Sequence, residues 1–247
     1  MKYELWDLLK SLKENCEIVD FSHPVSPETP HWSGFEPMEE RVVYNFEEDS
    51  FVAKEYKIVS QYATHIDAPH HFYEPGRKLH ELPIQDTILP LVVIDIIDKI
   101  ENNPDYGVKK SDIVEFEEEF GMIPEGSFVA LRTDWSKRTE NFDNVDDDGV
   151  AHFPGWTIEA CEYLIKERKV KAIGHEVADT DATSVSIPAR GLPVETYALS
   201  QDIYQVELMR NLDKMPPMGS VILVGFPNVV NAPGFTARCY GFVKKNK

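Results

Sequence analysis

Seven consecutive residues, His65-Ile66-Asp67-Ala68-Pro69-His70-His71, hold three of the chain's eight histidines and a carboxylate. If the strand that begins near Ala53 runs on through Asp67, its period of two points His65 and Asp67 to one face, about 7 Å apart along the chain. Two ligands can then converge on a first-row metal without special backbone geometry. Pro69 ends strand pairing, and the turn after it can swing His71 back toward the same point. Imidazole together with carboxylate suits Zn, Mn or Fe, whereas Ca and Mg prefer oxygen ligands throughout. The pattern alone does not choose among the three metals, and hydrogen-bonded histidines at a strand end are the competing reading. His70 points the other way in an extended backbone and reads as structural.

The stretch Gln61-Tyr62-Ala63-Thr64-His65-Ile66-Asp67-Ala68-Pro69-His70-His71-Phe72 resembles the signature H-x-G-T-H-x-D-x-P-x-H of the cyclase family, which includes bacterial kynurenine formamidases and isatin hydrolase. Residues 21–32 resemble the family's early loop ending at a substrate-side Trp, here Trp32. Gly76-Arg77 resembles its turn after the motif, and His152-Phe153-Pro154-Gly155 its F-P-G element. Residues 173–181 and 234–238 resemble its later G-x-[DE]-x-x-x-x-D and G-F-x-A-R segments, so the likeness runs over residues 17–243.

The resemblance implies an α/β chain with the swivelling β/β/α fold, a mixed β core flanked by helices, in a single domain over residues 1–247. It also implies a metal-dependent hydrolase that opens an amide, lactam, lactone or ester bond of a small substrate, aromatic or not. Carried over residue by residue, His65 and Asp67 are metal ligands and His71 is the general acid/base, with Trp32, Gln61 and Thr64 beside the substrate. A metal lowers the pKa of bound water toward neutrality. A histidine titrating near pH 7 can take the water's proton and return it to the leaving nitrogen or oxygen.

Two positions depart from the signature: its first His is Gln61 here, and its Gly is Ala63, whose methyl group narrows the backbone options. The stretch Ile187-Pro188-Ala189-Arg190 holds no His where the formamidases have a distal one. One divalent metal ion, Mn or Zn ahead of Fe, is therefore expected rather than two. Residues 200–212 read as a helix offering Gln201, Gln205 and Glu207 as the distal ligand. Gln201 and Gln205 lie one turn apart on one face and Glu207 on another, so at least two of the three only line that helix. His175, Glu176, Asp179 and Asp181 follow a buried strand and read as groups that hold ligands in place. Arg238 reads as a partner for a substrate carboxylate or as half of an ion pair. A metal-dependent cyclase or dehydratase, and a non-catalytic binding protein, are the alternative functions; Thr64, His65, Asp67 and His71 together argue against the second.

The elements that must position these residues mix α and β. Leu5, Leu8, Leu9 and Leu12 recur at helical spacing, predicting an amphipathic helix over 3–14 before a strand at 17–21. Strands are expected at 53–60, 91–97, 128–132, 170–173, 221–225 and 236–243, and helices at 112–120 and 158–168. Lys plus Arg number 25 and Asp plus Glu 43, a net charge of −18 that repels phosphate backbones and disfavours a nucleic-acid partner. No apolar run approaches the roughly 20 residues that span a bilayer, and the N-terminus lacks a signal-peptide layout. Cys16, Cys161 and Cys239 are too few and too far apart for a disulfide framework, which fits a reducing cytoplasm. The acidic runs at 117–119 and 146–148 read as a solvated helix face and a charged loop. The family resemblance further implies a homodimer or homotetramer acting on a small molecule.

Overall fold

The computed structural model describes residues 3–245. The chain opens with helix α1 (Glu4–Asn15), strands β1 (Cys16–Asp20) and β2 (Glu39–Tyr44), and the single turn α2 (Phe46–Asp49). Strands β3 (Ala53–Lys57), β4 (His65–Asp67) and β5 (Ile88–Asp95) follow, then the turn α3 (Ile97–Ile100), strand β6 (Gly107–Val108) and helix α4 (Lys110–Phe120). Next come β7 (Phe128–Arg132), β8 (Gly155–Trp156) and α5 (Ile158–Glu162), which winds on as a π-helical turn through Glu167. The last third holds β9 (Ala172–His175), α6 (Thr183–Ala189), α7 (Pro193–Ser200), β10 (Tyr204–Glu207), β11 (Ser220–Gly225), β12 (Gly234–Thr236) and β13 (Arg238–Lys244).

Nine strands form one sheet in the order β1-β13-β11-β5-β7-β9-β10-β4-β12. Its centre, β5-β7-β9-β10, is parallel, and both flanks are antiparallel. Parallel strands buried on both faces need apolar residues at every position, and residues 91–94 of β5 and 128–131 of β7 have them. Leu91 and Val93 of β5 enter one core with Phe128 and Ala130 of β7. Val92 and Ile94 join Val129 and Leu131 in a second core, covered by Ile113 of α4, Cys161 of α5 and Val194 and Ala198 of α7.

The same alternation continues into the polar strands. Ile66 of β4 and Tyr204 and Val206 of β10 face the first core, so His65, Asp67, Gln205 and Glu207 turn to the side covered by helices. Register completes the arrangement: Gln205 pairs with Asp67 and Glu207 with His65. Sheet geometry therefore brings four buried polar side chains to one spot.

Three sequence expectations are corrected here. Residues 200–212 are not a helix: α7 ends at Ser200, Asp202 turns the chain at φ 65°, and residues 204–207 enter the sheet as β10. No strand runs from Ala53 to Asp67. β3 belongs to a hairpin with β2, and Ala63, at φ 57°, redirects the chain into β4, which keeps His65 and Asp67 on one face nonetheless. The final strand is two, β12 and β13, on either side of Ala237. Among the described residues no helix is long and apolar enough to cross a membrane.

Candidate metal centre

His65, Asp67 and Glu207 meet beneath the helical cover. His65 Nε2 lies 3.3 Å from Asp67 Oδ2 and 3.5 Å from Glu207 Oε2, with all three side chains buried. His65 Nδ1 is 2.9 Å from the Ala63 carbonyl oxygen, which can only accept. Nδ1 is thus the donor, which leaves Nε2, facing two carboxylates, as the ring atom that can bind a metal once its proton is given up. A hydrogen bond of this kind sets the tautomer of metal-binding histidines. The left-handed turn at Ala63 has a chemical consequence, because it aims the carbonyl that fixes the ring.

Burial alone would lower the pKa of His65, yet Asp67 and Glu207 raise it to about 9. Burial would raise Asp67, and His65 and His71 instead hold it well below the usual carboxylate range. Glu207 is pushed well above its ordinary value by burial and by Asp67, and Glu195 by burial and by Glu207 and Asp67. The cluster holds more acids than bases, so its members compete for positive charge. One imidazole and two carboxylates form a donor set that suits a first-row dication. Asp67 Oδ1, buried and without a hydrogen-bond partner among the described residues, is an acceptor at the same point. The residues present fit a divalent metal.

His71 Nε2 stands 3.8 Å from Asp67 Oδ1, on the short turn Pro69–His71 that follows the motif proline. Its ring meets Phe72 edge-on at 4.8 Å and remains partly exposed to the cavity. Asp67, His71 and Glu195 form a second group whose ligand atoms lie within 4.8 Å of one another. Glu195 stands in the first turn of α7 and was not anticipated from sequence. The signal for it is a carboxylate on the apolar face that Val194, Ala198 and Leu199 bury.

Around the ligand atoms the polar groups form a relay. Gln205 Nε2 lies 3.2 Å from Asp67 Oδ2, 2.8 Å from Glu195 Oε1 and 3.0 Å from Glu207 Oε1. Thr180 Oγ1 donates to Gln205 Oε1 at 2.7 Å. The amide oxygen accepts from Thr180 and its NH₂ faces carboxylates, so Gln205 stands as a donor among the carboxylates. Gln201 is exposed, with its amide on Ser200 Oγ, well away from the cluster. Of the three distal candidates, Glu207 is the one whose carboxylate joins His65 and Asp67 in a group able to hold a metal.

The residues after β9 divide their work. Asp181 accepts from the backbone N–H groups of Val194 and Glu195, both at 2.9 Å, and so fixes the first turn of α7. Glu176 turns away to accept from Thr133 N at 2.8 Å, Asp134 N at 2.7 Å and Ser136 Oγ at 2.6 Å. His175 Nε2 is 3.3 Å from Glu207 Oε1, and burial lowers its pKa to about 4, keeping it neutral. Arg238 pairs at the surface with Asp20, at 3.0 and 2.6 Å, away from the cluster.

Above the cluster opens a cavity of about 480 Å³. Trp32, Phe35, Phe72, Ala178, Leu192 and Leu208 form its apolar wall. Gln61, His65, His71, Asp179, Glu195 and Glu207 supply most of its polar lining. Trp32 meets Phe35 edge-on at 4.9 Å and stays half exposed. Thr64 does not reach the cavity: its hydroxyl donates to Leu208 O at 2.6 Å and accepts from His23 N at 2.9 Å. It ties the motif to neighbouring loops, a correction to its expected place beside the substrate.

Comparison with known proteins gives this geometry a context. The family described as "Putative cyclase" matches residues 19–182. The chain is 28% identical to isatin hydrolase of Roseibium aggregatum, covering 96% of this chain and 95% of that protein. It is 26% identical to kynurenine formamidase of Bacillus cereus, covering 68% and 72% of the two. The structure of isatin hydrolase A from Labrenzia aggregata bound to benzyl benzoate superposes with a TM-score of 0.91 at 28% identity, covering 98% of this chain and all of that one. The match of the family to about two thirds of the sequence, together with the superposition, makes this chain a member of the cyclase family.

Proposed function

We propose that this chain is a metal-dependent hydrolase that opens an amide, lactam or ester bond of a small aromatic substrate. The observation that carries the reading is the buried meeting of His65, Asp67 and Glu207 at the floor of an aromatic-walled cavity with His71 at its side. Isatin hydrolase and kynurenine formamidase, whose names denote hydrolysis of a lactam and a formamide, support the reaction class.

His65, Asp67 and Glu207 would hold one divalent cation, Mn or Zn. Such a cation supplies Lewis acidity and lowers the pKa of a coordinated water. Trp32, Phe35 and Phe72 hold a flat ring against the apolar wall and exclude bulk water from the carbonyl. His71 accepts the proton of the attacking water at Nε2 and returns it to the leaving nitrogen or oxygen. Asp67 Oδ1 faces that Nε2 and stabilises the imidazolium formed in between. Gln205 restrains the carboxylates through its amide N–H groups, and Gln61 borders the substrate.

A second reading, with two cations, is favoured by the group Asp67, His71 and Glu195; His71 would then be a ligand rather than the acid/base. Elemental analysis after dialysis against micromolar metal separates the two, one equivalent per chain being expected. Added Mn or Zn is expected to raise Tm, because a ligand that binds only the native state stabilises it. His65→Ala and Asp67→Ala should lose that rise. A screen of aryl amides, lactams and esters with and without metal tests the activity. Turnover without metal, or a cyclised or dehydrated product in place of a hydrolysed one, overturns the reading.

The three cysteines are free, which supports a reducing cytoplasm. Self-association into a homodimer or homotetramer is supported by two outward apolar faces. Leu5, Trp6 and Leu8 of α1 are exposed, as are Val42, Phe46 and Tyr56 of the β2–β3 hairpin, and an isolated two-stranded hairpin is marginal in water. Light scattering on the purified chain measures the state.

A further inference from the structure

Charge in the cavity is one-sided. Asp179, Glu195 and Glu207 line it with Asp67 beneath, and among the described residues no lysine or arginine does. The dication proposed above balances two of these four carboxylates. Glu195 and Glu207 receive N–H donors from Gln205, as does Asp67. Asp179 receives nothing: it is partly buried at the cavity wall and has no hydrogen bond or ion pair among the described residues. Its charged neighbours Asp143 and Asp181 are themselves acidic, and His175, which it faces, is kept neutral by burial. Its carboxylate opens on the cavity, where a ligand that donates a hydrogen bond can reach it. Beside it stand aromatic rings, whose faces attract organic cations.

We propose that Asp179 is a specificity residue that accepts a charge-assisted hydrogen bond from a protonated amine on the substrate, so that the pocket prefers ammonium-bearing aromatic substrates and rejects those carrying a second carboxylate. The inference rests on the one-cation hydrolase reading above and names the substrate class for it. Asp179 lies outside both groups able to hold metal, so its substitution leaves metal content unchanged. The −18 net charge of the chain attracts any cation at long range. That contribution is screened at physiological salt, and it is common to the wild type and to an Asp179 variant.

The test uses metal-loaded protein at about 0.15 M salt, and Asp179→Asn, which keeps the side chain's shape. Calorimetry with benzylammonium and benzyl alcohol, neither of which can be hydrolysed, reads recognition alone. Benzylammonium is expected to bind about ten- to a hundredfold more tightly, the range of a charge-assisted hydrogen bond. In Asp179→Asn the gap should shrink by about tenfold at unchanged metal content and Tm. Equal affinities in the wild type, or a full gap surviving in the variant, overturn the proposal. Asp179→Ser, which also removes the charge, is the second variant, and the gap should shrink there as well. In parallel, three anilides carrying aminomethyl, hydroxymethyl or carboxymethyl groups away from the amide are assayed for turnover. KM should rise in that order. Turnover of all three without that order overturns the specificity assignment and leaves the hydrolase reading intact. Turnover of none, with benzylammonium still preferred in the wild type and the preference lost in the variant, overturns the hydrolase reading and supports the role of Asp179.

Discussion

Asp181 offers the sharpest test of how the cavity is held. The first turn of any helix has N–H groups with no intrahelical partner. In α7 the N-cap Leu192 supplies no side-chain acceptor, and the groups on Val194 and Glu195 are met by the two oxygens of Asp181, both at 2.9 Å in a buried setting. Asp181→Ala leaves two buried donors unsatisfied at about 1–3 kcal/mol each, so a loss of about 4 kcal/mol is expected. Asp181→Asn keeps the shape and one acceptor but turns an NH₂ toward the other N–H, and it removes the favourable charge at the helix N-terminus; about 2 kcal/mol is expected. At about 2–4 °C per kcal/mol for a chain of this size, Tm should fall by about 4–8 °C for Asn and 8–16 °C for Ala. Hydrogen exchange of the peptide spanning Val194 and Glu195 should quicken in both variants, ahead of the sheet. If Asp181→Ala melts like the wild type and exchange there is unchanged, apolar packing of Val194 and Ala198 alone holds α7, and Asp181 does not position Glu195.

Other substitutions probe neighbouring parts of the site. His71→Asn is expected to retain metal and lose about 10²- to 10⁴-fold in kcat, the range of lost acid/base assistance; parallel loss of metal would make His71 a ligand. Trp32→Ala should raise KM for an aromatic substrate more than it lowers kcat, with little change in Tm because the ring is half exposed. A lower Tm with KM unchanged would give Trp32 a structural role only. Gly234→Ala would put a methyl carbon 2.2 Å from Ile66 O and 2.9 Å from Asp67 Oδ1. Because the first of these is backbone that cannot yield, a loss of about 3 kcal/mol or more is expected together with weakened metal binding. An unchanged metal titration in that variant would mean that the β4–β12 register does not hold Asp67.

Sequence made the heart of the site legible where local spacing decides geometry. His65 and Asp67 share a face because any extended backbone separates residues two apart to the same side, and this survives the break between β3 and β4. The apolar runs of β5 and β7 were equally plain in kind, although β5 starts at Ile88 and ends at Asp95 where 91–97 is expected. Residues 200–212 misled for a physical reason. Ile203, Val206 and Met209 recur at three-residue spacing behind a plausible serine cap, while Tyr204, Val206 and Leu208 alternate with Gln205 and Glu207. Both periods are present, and Asp202 in the left-handed region chooses the second. Glu195 was not legible because its partners, Gln205 and Asp181, reach it only through the sheet and the loop after β9.

The polar strands explain why the site and the fold cannot be separated. On the helix-covered face Ile173 of β9 lies in apolar packing, while His175, two residues further, stands against Glu207. Gln205, Glu207, His65 and Asp67 continue that face across two further strands. Positions that would hold leucine or valine in an ordinary sheet carry imidazole, amide and carboxylate, and Gln205, His65 and Asp67 are tolerated there because their neighbours supply a donor, an acceptor or a charge. Removing one member strands the rest: a lone buried carboxylate costs several kcal/mol, whereas Asp67, beside His65, His71 and Gln205, is held below the usual carboxylate range. Effects of paired substitutions in this layer should therefore depart from additivity. The loss seen on replacing any one residue measures the cost of disturbing the cluster as well as that residue's own contribution.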